Sequence, residues 1–219
     1  MICLTFDIEE RFHSHLTGED CEREWLAGDR IARLVDLLEE QGKAGTFFVV
    51  GEVAERYPEL VRRIGDAGFE IASHSYSHLK MDPANRRACE EDITRSKLVL
   101  EDISGREVTG YRSPTWTARL TDEWLWDHLV GLGFRYDSSL FPFRTHLYGS
   151  FANPTEPSRL RPNLREIPPS VATFGPVRIP YGGGFYLRLY PMWVTRWLFG
   201  RDLDRDRTPI VYVLSLIHI

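Results

Sequence analysis

The first 137 residues alternate short, largely apolar runs with amphipathic stretches, and this alternation restricts the chain more than any other feature. Ile2–Phe6, Thr46–Val50 and Phe69–Ser73 are runs of strand length in which apolar residues are not confined to every second position. Such strands are buried on both faces, as in a parallel sheet covered by helices, rather than half-exposed as in a hairpin. Between them, Ile31, Leu34, Val35 and Leu38 recur at helical spacing, with Asp29 as the expected cap and Gly42 as the stop. Further helices are predicted over Val53–Ile64, Pro83–Ile103 and Thr121–Leu132, the last capped by Thr121, and further strands over Val108–Tyr111 and Phe134–Tyr136. Strand–helix alternation from the first residue predicts an α/β fold with a parallel sheet.

No linker or repeat interrupts this pattern, so a single domain over residues 1–219 is expected. The texture changes after Ser138, where Pro142, Pro154, Pro157, Pro162, Pro168 and Pro169 break a stretch read as a long loop. Regular structure is predicted to resume with a strand at Val177–Ile179, a helix from Pro191 to Phe199 and a strand at Ile210–Leu214. Trp193, Trp197 and Phe199 share helical spacing and are expected in the core. With 27 Lys and Arg against 32 Asp and Glu, the net charge of −5 argues against a nucleic-acid partner. No run approaches the roughly 18–20 apolar residues of a membrane span. The N-terminus has no basic region before Asp7, and three cysteines without metal-type spacing suggest no disulfide framework, so a cytoplasmic setting is expected.

Polar residues then collect where the strands end. Asp7 and Glu9 are two apart, so on an extended segment their carboxylates project from one face while Ile8 points the other way. His74 and His78 follow the third strand at a spacing that lets both bind one divalent ion from one face of a helical turn. Arg112, in Arg112-Ser113-Pro114-Thr115-Trp116, presents a fork suited to orienting a carboxylate. Asp137 closes the strand that follows. Active sites in α/β sheets and barrels form at the carboxyl ends of strands, where these four groups would converge.

In this order the segments resemble the polysaccharide deacetylases (NodB-homology, carbohydrate esterase family 4). Thr5-Phe6-Asp7-Ile8-Glu9, His74-Ser75-Tyr76-Ser77-His78, Arg112-Ser113-Pro114 and Asp137 stand where that family carries its motifs. Phe6-Asp7-Ile8-Glu9 and the later Tyr181-Gly182-Gly183-Gly184-Phe185-Tyr186 are most similar to the subgroup linked to exopolysaccharide and PEP-CTERM loci. The resemblance implies a distorted (β/α)7 barrel, incomplete at its C-terminal end, and metal-dependent removal of N-acetyl groups from an amino-sugar polysaccharide. Asp7 would be the base, oriented by Arg112. Glu9, standing in for the usual adjacent aspartate, would bind one divalent ion with His74 and His78: zinc first, with cobalt, nickel, iron or manganese also compatible. Asp137 would pair with the family's final histidine, whose place here is taken by Ser215, with His218 out of register. Pro114, Trp116, Tyr181, Gly183, Gly184 and Phe185 are the candidate sugar-binding residues. Competing readings are a cyclic-amide or imide hydrolase on the same barrel and a carbohydrate-binding pseudoenzyme.

Overall fold

The computed structural model describes residues 1–13 and 24–213. In chain order the strands are β1 (Cys3–Ile8), β2 (Thr46–Val49), β3 (Glu70–Ser73), β4 (Gly110–Tyr111), β5 (Tyr136–Asp137), β6 (Ser158–Arg161), β7 (Leu164–Glu166), β8 (Val171–Phe174), β9 (Val177–Pro180) and β10 (Ile210–Val213). One curled sheet has the order β10-β1-β2-β3-β4-β5-β7-β6, and β8 and β9 form a separate hairpin. Every pairing from β10 to β7 is parallel, and only β6 runs antiparallel at the edge. Seven parallel strands are what the (β/α)7 expectation requires. The sheet is a half-barrel, ending on β10 at one side and β6 at the other.

The helices are α1 (Ala27–Glu40), α2 (Gly51–Arg56), α3 (Pro58–Asp66), α4 (Arg86–Ser104), α5 (Glu123–Gly131), α6 (Gly184–Leu189) and α7 (Met192–Leu203). Phe6, Phe47 and Ile71, side by side on β1, β2 and β3, face this helical layer together with Val35, Leu38 and Ile64. The Phe47 ring lies 5.3 Å from that of Phe6 and 5.5 Å from that of Phe69.

Several local expectations are corrected. The cap of α1 is Glu10, not Asp29: the Leu26 and Ala27 N–H groups donate to Glu10 Oε1 at 3.0 and 2.8 Å, and Asp29 lies inside the first turn. A carboxylate there satisfies orphan amides and the helix dipole, and only the tertiary fold brings it across from β1. The helix expected over 53–64 is two, because Pro58 lacks an N–H and starts α3 afresh after Tyr57. α5 starts at Glu123, so Thr121 is not its cap. The long loop contains β6 and β7, missed because Ser158-Arg159-Leu160-Arg161 and Leu164-Arg165-Glu166 are too polar to resemble the other strands. Trp193 and Trp197 are 72% and 54% exposed, so helical spacing did not mark a core face there.

Phe47→Ala removes a ring wholly enclosed between sheet and helices. It should cost about 3–5 kcal/mol in denaturant unfolding, whereas exposed Leu98→Ala should stay within about 0.5 kcal/mol.

Candidate active site

Hydrogen bonding continues one residue beyond several strand ends. Val50 N–H donates to Ile8 O, His74 N–H to Val49 O, Arg112 N–H to Ser73 O and Ser138 N–H to Tyr111 O, at 2.9–3.1 Å. Register therefore extends into the loops, and the period of two sorts the side chains. Asp7, Phe48 and Ala72 are lateral neighbours, with Gly110 and Tyr136 paired further along the sheet on the same face. Two residues on, Glu9, His74, Arg112 and Ser138 follow on that face. The alternate row, Ile8, Val49, Ser73, Tyr111, Asp137 and Glu166, faces the helices.

Arg112 is fully buried and closes this inner face. Its Nη1 donates to Asp7 Oδ1 at 2.6 Å and to Thr5 Oγ1 at 3.1 Å, its Nη2 to Ser138 Oγ at 3.0 Å and its Nε to the Ser138 carbonyl at 3.3 Å. The guanidinium carbon lies 3.9 Å from the centroid of the Phe48 ring, within cation–π range. Gly110 makes room on the same face for the Tyr136 ring, since a Cβ there would sit 2.2 Å from it. Asp7 Oδ2 is buried and accepts no hydrogen bond among the described residues. Burial raises the Asp7 pKa above its ordinary value, and Arg112 opposes that rise. The sequence had singled out Asp7 and Arg112 but not Thr5, Phe48 or Ser138. Thr5 was legible as the same-face residue two before Asp7.

Glu9, His74 and His78 form a buried cluster whose potential donor atoms all lie within 4.8 Å of one another. The two histidines do not share a helical turn: they occupy a loop in which Ser75 and His78 have φ of 64° and 59°. Left-handed backbone at non-glycine positions costs about 1–3 kcal/mol each and persists where surrounding contacts enforce it. Here Asp92 of α4 accepts from Tyr76 N–H at 2.7 Å and from Ser77 N–H and Oγ–H at 3.0 and 2.6 Å. His74 Nδ1 bonds the Arg112 carbonyl at 2.8 Å, leaving Nε2 as its ligand atom. Burial, reinforced by His78, pushes His74 down to about 3, so it is neutral, as a ligand must be. Burial also acts to raise Glu9, but its 2.7 Å contact with His78 outweighs this and holds the carboxyl below its usual value. Two imidazoles and a carboxylate in a buried setting fit a borderline divalent cation such as zinc. His13 and Glu52, unanticipated from sequence, border the cluster, His13 with its ring 6.1 Å from that of His78 and bonded to Glu52 at 3.2 Å.

The remaining candidates separate. Asp137 lies on the alternate row and is bonded by Ser139, so it is not brought to Asp7. Pro114 and Trp116 are buried in a short 3-10 turn after Arg112, and the Trp116 ring packs against Phe141, Tyr148 and Tyr212. Tyr181 is wholly buried and donates to Asp202 Oδ2 at 2.5 Å, a core position rather than a sugar wall. Gly183 bridges to Tyr212 of β10, where a Cβ would meet the tyrosine hydroxyl at 2.3 Å, so its close approach is to this ring. Gly184 starts α6, and Phe185 is 70% exposed. Ser215 and His218 lie outside the described residues.

Two outcomes are expected. Arg112→Met strands Asp7 as an unpaired buried charge and should cost about 3–5 kcal/mol in denaturant unfolding. The metal-free chain should lose stability as pH falls from about 6.5 towards 3, because the unfolded imidazole takes up a proton that folded His74 refuses. Thermal unfolding should show that slope reduced in His74→Asn.

A sequence profile of the polysaccharide deacetylase family matches residues 1–135, and one for a domain of unknown function (DUF3473) matches residues 138–215. The sheet is continuous across that boundary, since β7 pairs with β5 and β10 with β1. The chain is 33% identical over 124 residues to a peptidoglycan deacetylase of Helicobacter pylori, covering 56% of this chain and 41% of that protein. It is 30% identical over 82 residues to a peptidoglycan-N-acetylglucosamine deacetylase of Bacillus cereus, covering 37% of this chain and 30% of that one. The matched part thus spans well under half the length of either relative. A solved structure from Mycobacterium smegmatis, assigned provisionally to the polysaccharide deacetylases, shares the fold with a TM-score of 0.66 at 24% identity, covering 98% of this chain and 76% of that one. With the first profile matched over more than half of its length, the chain belongs to the polysaccharide deacetylase family.

Proposed function

We propose that this chain is a metal-dependent hydrolase that removes N-acetyl groups from an amino-sugar polymer, an exopolysaccharide by the subgroup that its Phe6-Asp7-Ile8-Glu9 and glycine-rich segments resemble. The observation that carries the reading is the juxtaposition of a buried Glu9/His74/His78 donor set with a buried carboxylate, Asp7, that has one oxygen committed to Arg112 and the other uncommitted. The deacetylase activities of its family relatives support the same class of substrate.

Glu9, His74 and His78 would hold the ion, which supplies Lewis acidity towards a carbonyl oxygen and a water when bound. Asp7 Oδ2 takes the proton of the attacking water. Arg112 keeps that carboxylate oriented and favours its ionised form, while Thr5 and Ser138 keep Arg112 from turning away. The His74–Arg112 carbonyl bond ties the ligand loop to the segment that holds the base. The leaving nitrogen needs a proton that the family takes from its final histidine, and Ser215 cannot supply it as an imidazole would. Losing a general acid costs about 10²–10⁴-fold.

Metal analysis of the purified chain beside His74→Ala is the first test. About one equivalent of metal per chain, lost in the variant, supports the reading. A folded chain that takes up no zinc when it is supplied overturns it in favour of a carbohydrate-binding module. Acetate release from N-acetylated glucosamine oligomers should be slow in the chain as it stands and should rise in Ser215→His.

A further inference from the structure

The helix-facing row of the sheet ends in two carboxyls. Asp137 on β5 and Glu166 on β7 are direct register partners, and both have no exposed surface. Two buried carboxylates side by side cannot both be ionised without a cation committed to them. The nearest cation, Arg112, is spent on Asp7, Thr5 and Ser138. Tyr111 of β4 donates elsewhere, to Met81, and Ser158 of β6 is the register partner on the far side. α5 buries Leu125, Trp126 and Leu129, while its Glu123 and Asp127 pair with Arg161 at the surface.

Hydrogen accounting locates the missing charge compensation. Asp137 accepts from Ser139 Oγ–H at 2.5 Å and from Ser139 N–H at 3.0 Å. Glu166 Oε1 accepts from Leu140 N–H at 3.1 Å. Glu166 Oε2 is buried and receives no hydrogen from any donor among the described residues. A proton on that oxygen, donated to Asp137, satisfies the last polar atom of the pair and removes one of the two charges.

We infer that Glu166 is a neutral carboxylic acid sharing one proton with Asp137, and that the pair is a positioning device fixing residues 137–140, the turn whose Ser138 holds Arg112 against Asp7. The shared proton stands on geometry alone, whereas a role in the reaction rests on the deacetylase reading above. Burial, with the Asp137 charge adding to it, pushes Glu166 well above the ordinary glutamate value, in keeping with this arrangement. The sign of the pH effect follows. The unfolded glutamic acid loses its proton near its ordinary value, while the folded one keeps it, so Glu166 disfavours folding increasingly as pH rises above about 4, until the folded group also ionises.

Three readouts on the full chain test this without requiring turnover. Infrared spectra at neutral pH should show a protonated-carboxyl carbonyl band that is absent in Glu166→Gln. Thermal unfolding should decline from pH 5 to 8 more steeply in the parent chain than in Glu166→Gln, whose amide can still accept from Leu140 and donate to Asp137. Nitrogen-15 NMR should show a slowly exchanging Arg112 Nε–H, assigned by its absence in Arg112→Lys, that persists in Glu166→Gln and is lost in Glu166→Ala. Lack of the carboxyl band, or equal pH slopes, overturns the shared proton. An Arg112 signal unchanged in Glu166→Ala overturns the positioning role. Should Glu166→Ala fail to fold, Glu166→Leu with the same NMR readout takes its place, and if neither folds, an Arg112 signal lost in Glu166→Gln overturns that role. Metal content is measured alongside, so failure of the deacetylase reading is seen separately.

Discussion

The buried pairing of Arg112 with Asp7 is the contact on which the rest of the site depends. A guanidinium with no exposed surface is tolerable only if its donors are met, and here they are met by Asp7, Thr5 and Ser138, drawn from β1 and the turn after β5. The same residue uses its carbonyl to orient His74. One residue therefore ties together the proposed base, a candidate metal ligand and a turn on the far side of β4. Taking two charges out of water is costly, and such a pair is weak evidence of stability for its own sake. Its value lies in leaving Asp7 with one oxygen committed and one available.

What makes that contact possible is alternation within a parallel sheet. Side chains at successive residues go to opposite faces, so a one-residue offset separates the helix-packed row of Ile8, Val49, Ser73 and Tyr111 from the inner row of Asp7, Phe48, Ala72 and Gly110. The absence of a side chain at Gly110 leaves the space into which the Tyr136 ring extends. Asp137, one residue out of phase with that row, goes to the helical side and joins Glu166 instead. The C-terminal stretch has no long strand of its own, yet β7 and β10 extend the sheet at both sides. Gly183 lies against Tyr212, next to Thr5 across β10 and β1. The stretch matched by the domain of unknown function is thus built into the same sheet as the site.

Backbone strain is concentrated near the same residues. Ser75, His78, Thr115 and Trp116 all carry φ between 47° and 64°, in the two loops that hold the candidate ligands and follow Arg112. Asp92 on α4 pins the first loop through three hydrogen bonds, and the Thr117 hydroxyl in the second accepts from Met81 N–H at 2.9 Å while donating to the Pro114 carbonyl at 2.8 Å. These loops are held open by contacts from elsewhere in the fold, which is why the His74–His78 spacing looked helical in sequence and is not so in space.

The sequence by itself determined the parallel α/β architecture, because buried strands and amphipathic helices have periods that local residues must obey. It also determined which residues stand together at the ends of β1, β3 and β4: Asp7 and Glu9 by their spacing of two, His74 and His78 by following a buried strand, and Arg112 by its stiff proline turn. Tertiary structure decided the rest. That Glu10 caps α1, that Tyr181 packs inside while Trp193 and Trp197 lie outside, and that Asp137 stands beside Glu166 on the face opposite Asp7 all depend on which residues lie opposite one another across strands far apart in the chain. Spacing along one segment reports the face on which a side chain lies. Only register between segments reports what it meets there.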